Sequence, residues 1–162
     1  MDDYFGIIER IRGEVIILDK IVNKSIRAWK EAGKSPMYQD LFLDSVSLNL
    51  HGFYMGLERL FEIIAKNIDK SFPSDNSNWH ISLLKQMTIQ NNIRPSILSK
   101  TSYEGLNEFR KFRHIVRHIY STSIAPEKMI NMMKGFPEIW NQTNKELLAF
   151  ADYLEELNKN IT

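Results

Sequence analysis

No cysteine occurs among the 162 residues of this chain. That absence removes disulfides, thiolate nucleophiles and cysteine zinc sites together, and it fits a reducing cytoplasm. An excess of one charge is also missing. The 21 Lys and Arg stand against 20 Asp and Glu, for a formal net charge of +1. No global field draws the chain to nucleic acid, so any anion must be held by a local patch. Apolar runs fall short of the roughly 20 residues that span a bilayer. Met1-Asp2-Asp3 is acidic where a signal peptide carries basic residues. Strand-period segments, internal repeats and low-complexity tracts are absent too. What remains is 43% hydrophobic and 25% charged, the composition of a globular chain, and the length suits one domain over residues 1–162.

Helical spacing fills most of that length. Ile8, Ile11, Val15, Leu18, Val22 and Trp29 follow steps of three and four, with Ser25 and Ile26 near the missing position. Ile7, Ile17 and Ile21 widen the apolar surface, so this first helix is expected to pack on more than one neighbour. Gly33 is its expected end, at a positive φ, and Ser35-Pro36 reads as the cap and first residue of the next helix. That second helix runs to about Asp69 through Leu50, Phe53, Leu57, Leu60, Phe61 and Ile64, with Gly52 and Gly56 allowing close approach of another helix. A shorter helix spans about Trp79 to Gln90. Thr101 and Glu104 form a predicted capping box for a fourth, which buries Leu106, Phe109, Phe112 and Val116. The last segment begins at Pro126, with a bend expected near Gly135-Phe136-Pro137, and carries Phe136, Trp140, Thr143, Leu147, Phe150, Leu154 and Leu157. The expectation is an all-α, up-and-down bundle of about five helices.

The end of the fourth helix holds the densest chemistry, Arg113-His114-Ile115-Val116-Arg117-His118-Ile119-Tyr120, with Arg110 and Lys111 one turn earlier. Arginine can bind two phosphate oxygens and stabilise charge in a transition state, while histidine can move a proton near neutral pH. These are the parts of metal-independent RNA cleavage. On an ideal helix His118 lies about 140° around from Arg113. A shared phosphate therefore requires unwinding near His118, where Ser121-Thr122-Ser123 follows, or a second subunit. A basic helix terminus also arises with no function at all, because cations there favour the helix dipole.

An arginine, four residues, a histidine, one residue and a tyrosine resemble the active-site signature of HEPN-domain ribonucleases, most closely the HepT toxin branch. His51-Gly52-Phe53-Tyr54-Met55-Gly56-Leu57-Glu58-Arg59 and Trp79-His80 before Leu83-Leu84 are similar to HepT-like segments as well. The resemblance covers most of residues 1–158 and implies a HEPN-like homodimer whose motif helices face one cleft. It implies Arg113 and His118 as the catalytic pair of an endoribonuclease. Arg110, His114 and Arg117 would support RNA binding, with His114 standing where HEPN proteins carry a polar residue, often asparagine. It implies cellular RNA, tRNA among the candidates, as substrate, with no cofactor and no metal. A cognate minimal nucleotidyltransferase antitoxin of the MntA type would neutralise such a toxin by placing AMP on Tyr120, adding negative charge and bulk beside the arginines.

Other readings stand beside this one. A HEPN protein can bind RNA or nucleotide, or scaffold a nucleotidyltransferase, without cutting. A helical interaction protein would use none of the motif. His114 and His118 have metal-pair spacing but lack a third ligand or an HExxH context. His51 and His80 read as structural or surface residues. Glu58 either orients an arginine or histidine of the motif or pairs along its own helix surface with Glu62.

Overall fold

The structure is a computed structural model. It describes residues 3–75, 77–117 and 126–161, except the side chains at 114, 115, 117, 126 and 128. Five α-helices account for most of them: α1 (Phe5–Lys34), α2 (Gln39–Asn67), α3 (Trp79–Gln86), α4 (Lys100–Arg117) and α5 (Pro126–Ile161). No strand occurs among the described residues. Helices α1, α2, α4 and α5 each pack on the next, and α5 returns to α1, which closes a four-helix bundle. The short α3 lies against α2 and α4. The expected all-α bundle of about five helices is therefore the observed one.

The apolar spacing accounts for this arrangement. Ile8, Ile11, Val15, Leu18 and Val22 are buried on α1, Ser25 fills the gap in the stripe, and Ala28 and Ala32 complete it in place of Trp29. The buried face of α5 holds Phe136, Trp140, Thr143, Leu147, Phe150 and Leu154, as the steps of three and four require. Edge-on aromatic packing joins three helices at the centre. Phe53 of α2 meets Phe109 of α4 at 5.3 Å, and Phe136 and Trp140 of α5 at 4.8 and 5.5 Å. Trp140 Nε1 also donates to Asp19 Oδ1 of α1 at 2.9 Å, so the ring satisfies its polar edge while its body is buried.

Several boundaries differ from the sequence expectation. Gly33 remains inside α1, no described glycine has a positive φ, and the connection to α2 is a single 3-10 turn at Pro36–Tyr38. The left-handed residue is instead Lys70 (φ 54°), just after α2, where Ser71 N donates back to Ala65 O at 3.0 Å. Helix α3 stops at Gln86, short of Gln90. The predicted capping box at Thr101 and Glu104 does not form. Ser99 precedes α4 and its Oγ accepts from Ser102 N at 3.2 Å, while Glu146 of α5 takes the Ser99 N–H at 2.7 Å. A distant carboxylate thus does what Glu104 was expected to do, which no local spacing could reveal. Helix α5 runs unbroken through Pro137. Of the two small residues on α2, Gly56 alone meets another helix: a Cβ there would lie 2.9 Å from Leu18 Cδ2, whereas Gly52 has open space.

The path from α2 to α4 is set by a buried ion pair. Arg94 donates from Nε and Nη2 to both oxygens of Asp69, at 2.7 and 2.6 Å, and its side chain has no exposed surface. Its remaining donors reach the carbonyls of Ile89, Pro95 and Gln86. Burial by itself would raise the Asp69 pKa, but hydrogen bonds from Arg94, Gln86 and Asn91 outweigh it and hold the group below its ordinary 3.8. Because the folded value is depressed, the pair's contribution is present at neutral pH and is lost as pH falls through the folded value. Arg94→Met is expected to destabilise the fold by about 3–5 kcal/mol near neutral pH, since it leaves Asp69 buried and unpaired. Urea unfolding of both proteins should show that gap narrowing as the pH falls below 3.8.

Candidate functional site

The first residues of the site come from α2. Glu58 lies one turn beyond Tyr54 on the buried side of that helix, and its side chain is only 6% exposed. An ionised carboxylate at such a position needs partners. Two other helices supply them. Arg113 of α4 donates from Nη1 to Glu58 Oε1 at 3.0 Å, and His80 of α3 places Nδ1 2.7 Å from Glu58 Oε2. Arg113 Nη1 also lies 2.8 Å from His80 Nδ1 and 3.4 Å from Nε2. The three groups therefore form one cluster at the meeting of α2, α3 and α4.

Each member is held from behind. Residues Leu106, Phe109 and Phe112 bury the inner face of α4 and leave Arg113 at the edge of the core, with its side chain 15% exposed. The Trp79 ring lies against the His80 imidazole, centroids 3.5 Å apart, and Phe72 packs on Trp79 at 5.5 Å. His80 keeps a quarter of its side chain exposed (26%). Beneath them Tyr54 is fully buried, and its hydroxyl finds no hydrogen-bond partner among the described residues. Burial pushes the Tyr54 pKa well up, and the Glu58 charge adds to this against the opposing effect of Arg110 and Arg113, so the phenol stays protonated.

The residues named from the sequence separate as follows. Arg113 is in the cluster. Arg110 lies one turn away, half-buried, with Nε donating to Asn107 Oδ1 at 2.8 Å. His114 and Arg117 belong to α4, and their side chains are outside the description. His118 and Tyr120 lie outside the described residues. His80, read as structural or surface, keeps some exposed surface and contacts both Arg113 and Glu58. Glu58 takes the orienting role, while Glu62 pairs with Lys66 at 3.3 Å. The sequence signal for both was the pair of apolar segments flanking them, which says that helices pack there but not which polar groups meet. Among the described residues, no group of three or more His, Cys, Asp or Glu side chains converges to hold a metal ion.

A buried carboxylate sharing its two oxygens between an arginine and a partly exposed histidine can do two things. It neutralises and aims the guanidinium, and it holds the imidazole in place. This defines a helical bundle with a buried carboxylate, an arginine and a histidine gathered where α2, α3 and α4 meet. The sequence profile of HepT-like proteins matches residues 45–154, a span that contains Glu58, His80 and Arg113, and the chain belongs to this family. No curated protein and no solved structure matches the chain.

Replacing Glu58 with glutamine removes the charge that Arg113 and His80 share. Glu58→Gln is expected to cost about 2 kcal/mol, the range for charged hydrogen bonds, as a lowered urea midpoint with the helical circular dichroism of the parent.

Proposed function

We propose that the protein is a metal-independent endoribonuclease and acts as the toxin of a toxin–antitoxin pair. The observation that carries this reading is Arg113, held at the core edge by buried Glu58 and beside His80 in a chain of the HepT-like family. Arg113 binds the scissile phosphate and stabilises the charge that builds on its oxygens. Its Nη2 makes no hydrogen bond to a described residue, and the Glu58 carboxylate prevents the guanidinium from swinging away. His118 moves a proton, and Arg110, His114 and Arg117 add cationic or polar contacts to the RNA. Attack by the ribose 2′-oxygen on phosphorus, with departure of the 5′-oxygen, needs proton transfer and charge stabilisation but no metal.

Neutralisation proceeds by a nucleotidyltransferase antitoxin that transfers AMP from ATP to the Tyr120 hydroxyl, releasing pyrophosphate. The added phosphodiester brings negative charge next to the cationic segment and competes with RNA.

The active form is a homodimer. Leu41, Leu48, Gly52, Met55 and Arg59 share one face of α2, opposite its buried stripe, and Leu41 and Leu48 are 61% and 70% exposed. Two such faces together bury apolar surface that one copy leaves in water.

Purified protein with unmodified Tyr120 is expected to cleave unfractionated tRNA in EDTA, and His118→Ala to lower the rate by about 100-fold or more. Absence of cleavage by the parent on tRNA and on total cellular RNA sinks the nuclease reading and leaves an RNA-binding or nucleotidyltransferase-scaffolding protein. Leu48→Glu is expected to convert the dimer to monomer in light scattering and to reduce cleavage in parallel. A variant that stays dimeric locates the interface elsewhere.

A further inference from the structure

The cations of the chain are not evenly spread. Lys20, Lys24, Arg27, Lys30 and Lys34 fall in the second half of α1 against the single carboxylate of Glu31, so this stretch is strongly basic and the rest of the chain is net acidic. All five residues are exposed, and none has a hydrogen-bond or ion-pair partner among the described residues. Elsewhere on the surface Arg12, Lys66, Lys100, Lys111 and Lys159 each pair with a carboxylate. We propose that this face of α1 is a docking surface for the phosphate backbone of RNA, separate from the cluster of Glu58, His80 and Arg113. It takes the RNA of the ribonuclease reading above and rests on that reading for its choice of ligand.

Helical spacing aligns the five. Steps of four, three, three and four place them within about 120° of the helix circumference and along roughly 21 Å of its axis. Neighbours in the row stand roughly 5–6 Å apart at Cβ. That is closer than the Debye length of about 8 Å at physiological salt, so their fields add. Like charges at this spacing weaken a helix, and this row has no internal ion pair in return. Asp19, at its border, already accepts from Trp140 Nε1 and from the Asn23 amide. Val22, Ser25, Ala28 and Ala32 are buried on the opposite side of α1, which fixes the row outward.

The make-up of the face selects among anionic partners. Between residues 20 and 34 no large apolar side chain is exposed, and the exposed Ile16 and Ile17 lie before the row, not within it. A helix lying on a membrane needs an apolar face to bury. A protein interface needs aromatic or aliphatic anchors at its centre. The row offers neither. Its evenly stepped point charges match a polymer with one charge per repeating unit, held by neutralising phosphates and releasing counterions. Helix α1 packs on α2 and α5, while Arg113 lies on α4, diagonally across the bundle. An RNA that touches both is large and folded, such as tRNA, rather than a short strand.

Binding is read by the fluorescence anisotropy of a labelled tRNA-length RNA with 2′-O-methyl riboses, which lacks the attacking hydroxyl and keeps every phosphate. Lys20→Gln/Lys24→Gln/Arg27→Gln should bind it about 10-fold or more weakly than the parent near physiological salt. The same variant should flatten the slope of log affinity against log salt by roughly two units. Lys66→Gln/Lys100→Gln/Lys159→Gln changes the net charge equally and should bind as the parent does, with the parent's circular dichroism in both variants. Equal weakening by the two overturns the proposal, because net charge alone would then set the affinity. So does parent-like binding by the α1 variant. A parent that leaves the RNA free overturns it too, whether the face then takes up phosphatidylserine vesicles or poly-glutamate. RNA held through this face but never cut keeps the docking surface and removes the ribonuclease reading. Cleavage by a parent whose affinity ignores the α1 substitutions does the reverse.

Discussion

Asp69 and Arg94 constrain everything between the second and fourth helices. A fully buried guanidinium is tolerated only when its donors are used, and here five hydrogen bonds do so, two to Asp69 and three to backbone carbonyls. The carbonyls belong to Gln86, Ile89 and Pro95, in a stretch with little regular structure of its own. Asn91 reinforces the same stretch by accepting from the backbone of Ile93 and Arg94. The segment therefore has one path. It places α3 against the end of α2 and sends the chain into α4 at Lys100. Without that path, His80 and Arg113 would have no reason to arrive at the same carboxylate.

Two buried carboxylates on or just after α2 thus play opposite parts. Asp69 faces a guanidinium that has no remaining donor and no exposure, so the pair can only hold structure. Glu58 is divided between an arginine and a histidine that both keep some exposed surface. The difference lies in what the partners leave unused. Arg94 is spent on its surroundings, whereas Arg113 Nε has no partner among the described residues and His80 keeps a quarter of its side chain exposed. The aromatic junction of Phe53, Phe109, Phe136 and Trp140 ties together α2 and α4, the helices that carry Glu58 and Arg113, and α5.

Much of the fold was legible before any coordinates, because its signal is periodic and repeated. A stripe such as Ile8, Ile11, Val15, Leu18 and Val22 states the same fact five times, and one substitution such as Ser25 does not hide it. The helix ends were less legible. Gly33 carried the residue type of a terminus but stayed helical, and Lys70 took the left-handed conformation without the residue type. Thr101 and Glu104 had the right spacing for a cap, yet Ser99 won because Glu146, on the neighbouring α5, reaches its N–H. End signals are single residues, and a tertiary contact can outweigh one residue more easily than a stripe. The site shows the same limit. Arg113 stood out within a cluster of basic residues, while His80 had only Trp79 beside it in sequence to mark it.

The sequence by itself determined that the fold is all-α, which faces of the helices are apolar, and that cationic and proton-transferring groups gather near Arg113. These follow from local spacing, which needs no knowledge of what lies opposite. Only the tertiary structure decided that Glu58, His80 and Arg113 belong together. They are separated by 22 and 33 residues along the chain, and no helical period relates positions on three different elements. Their meeting is set by how α2, α3 and α4 pack and by the Asp69–Arg94 pair that fixes the connection between them. Burial supplies the remaining reason. An ionised carboxylate withdrawn from water must find partners, and in this bundle those within reach are the arginine and the histidine.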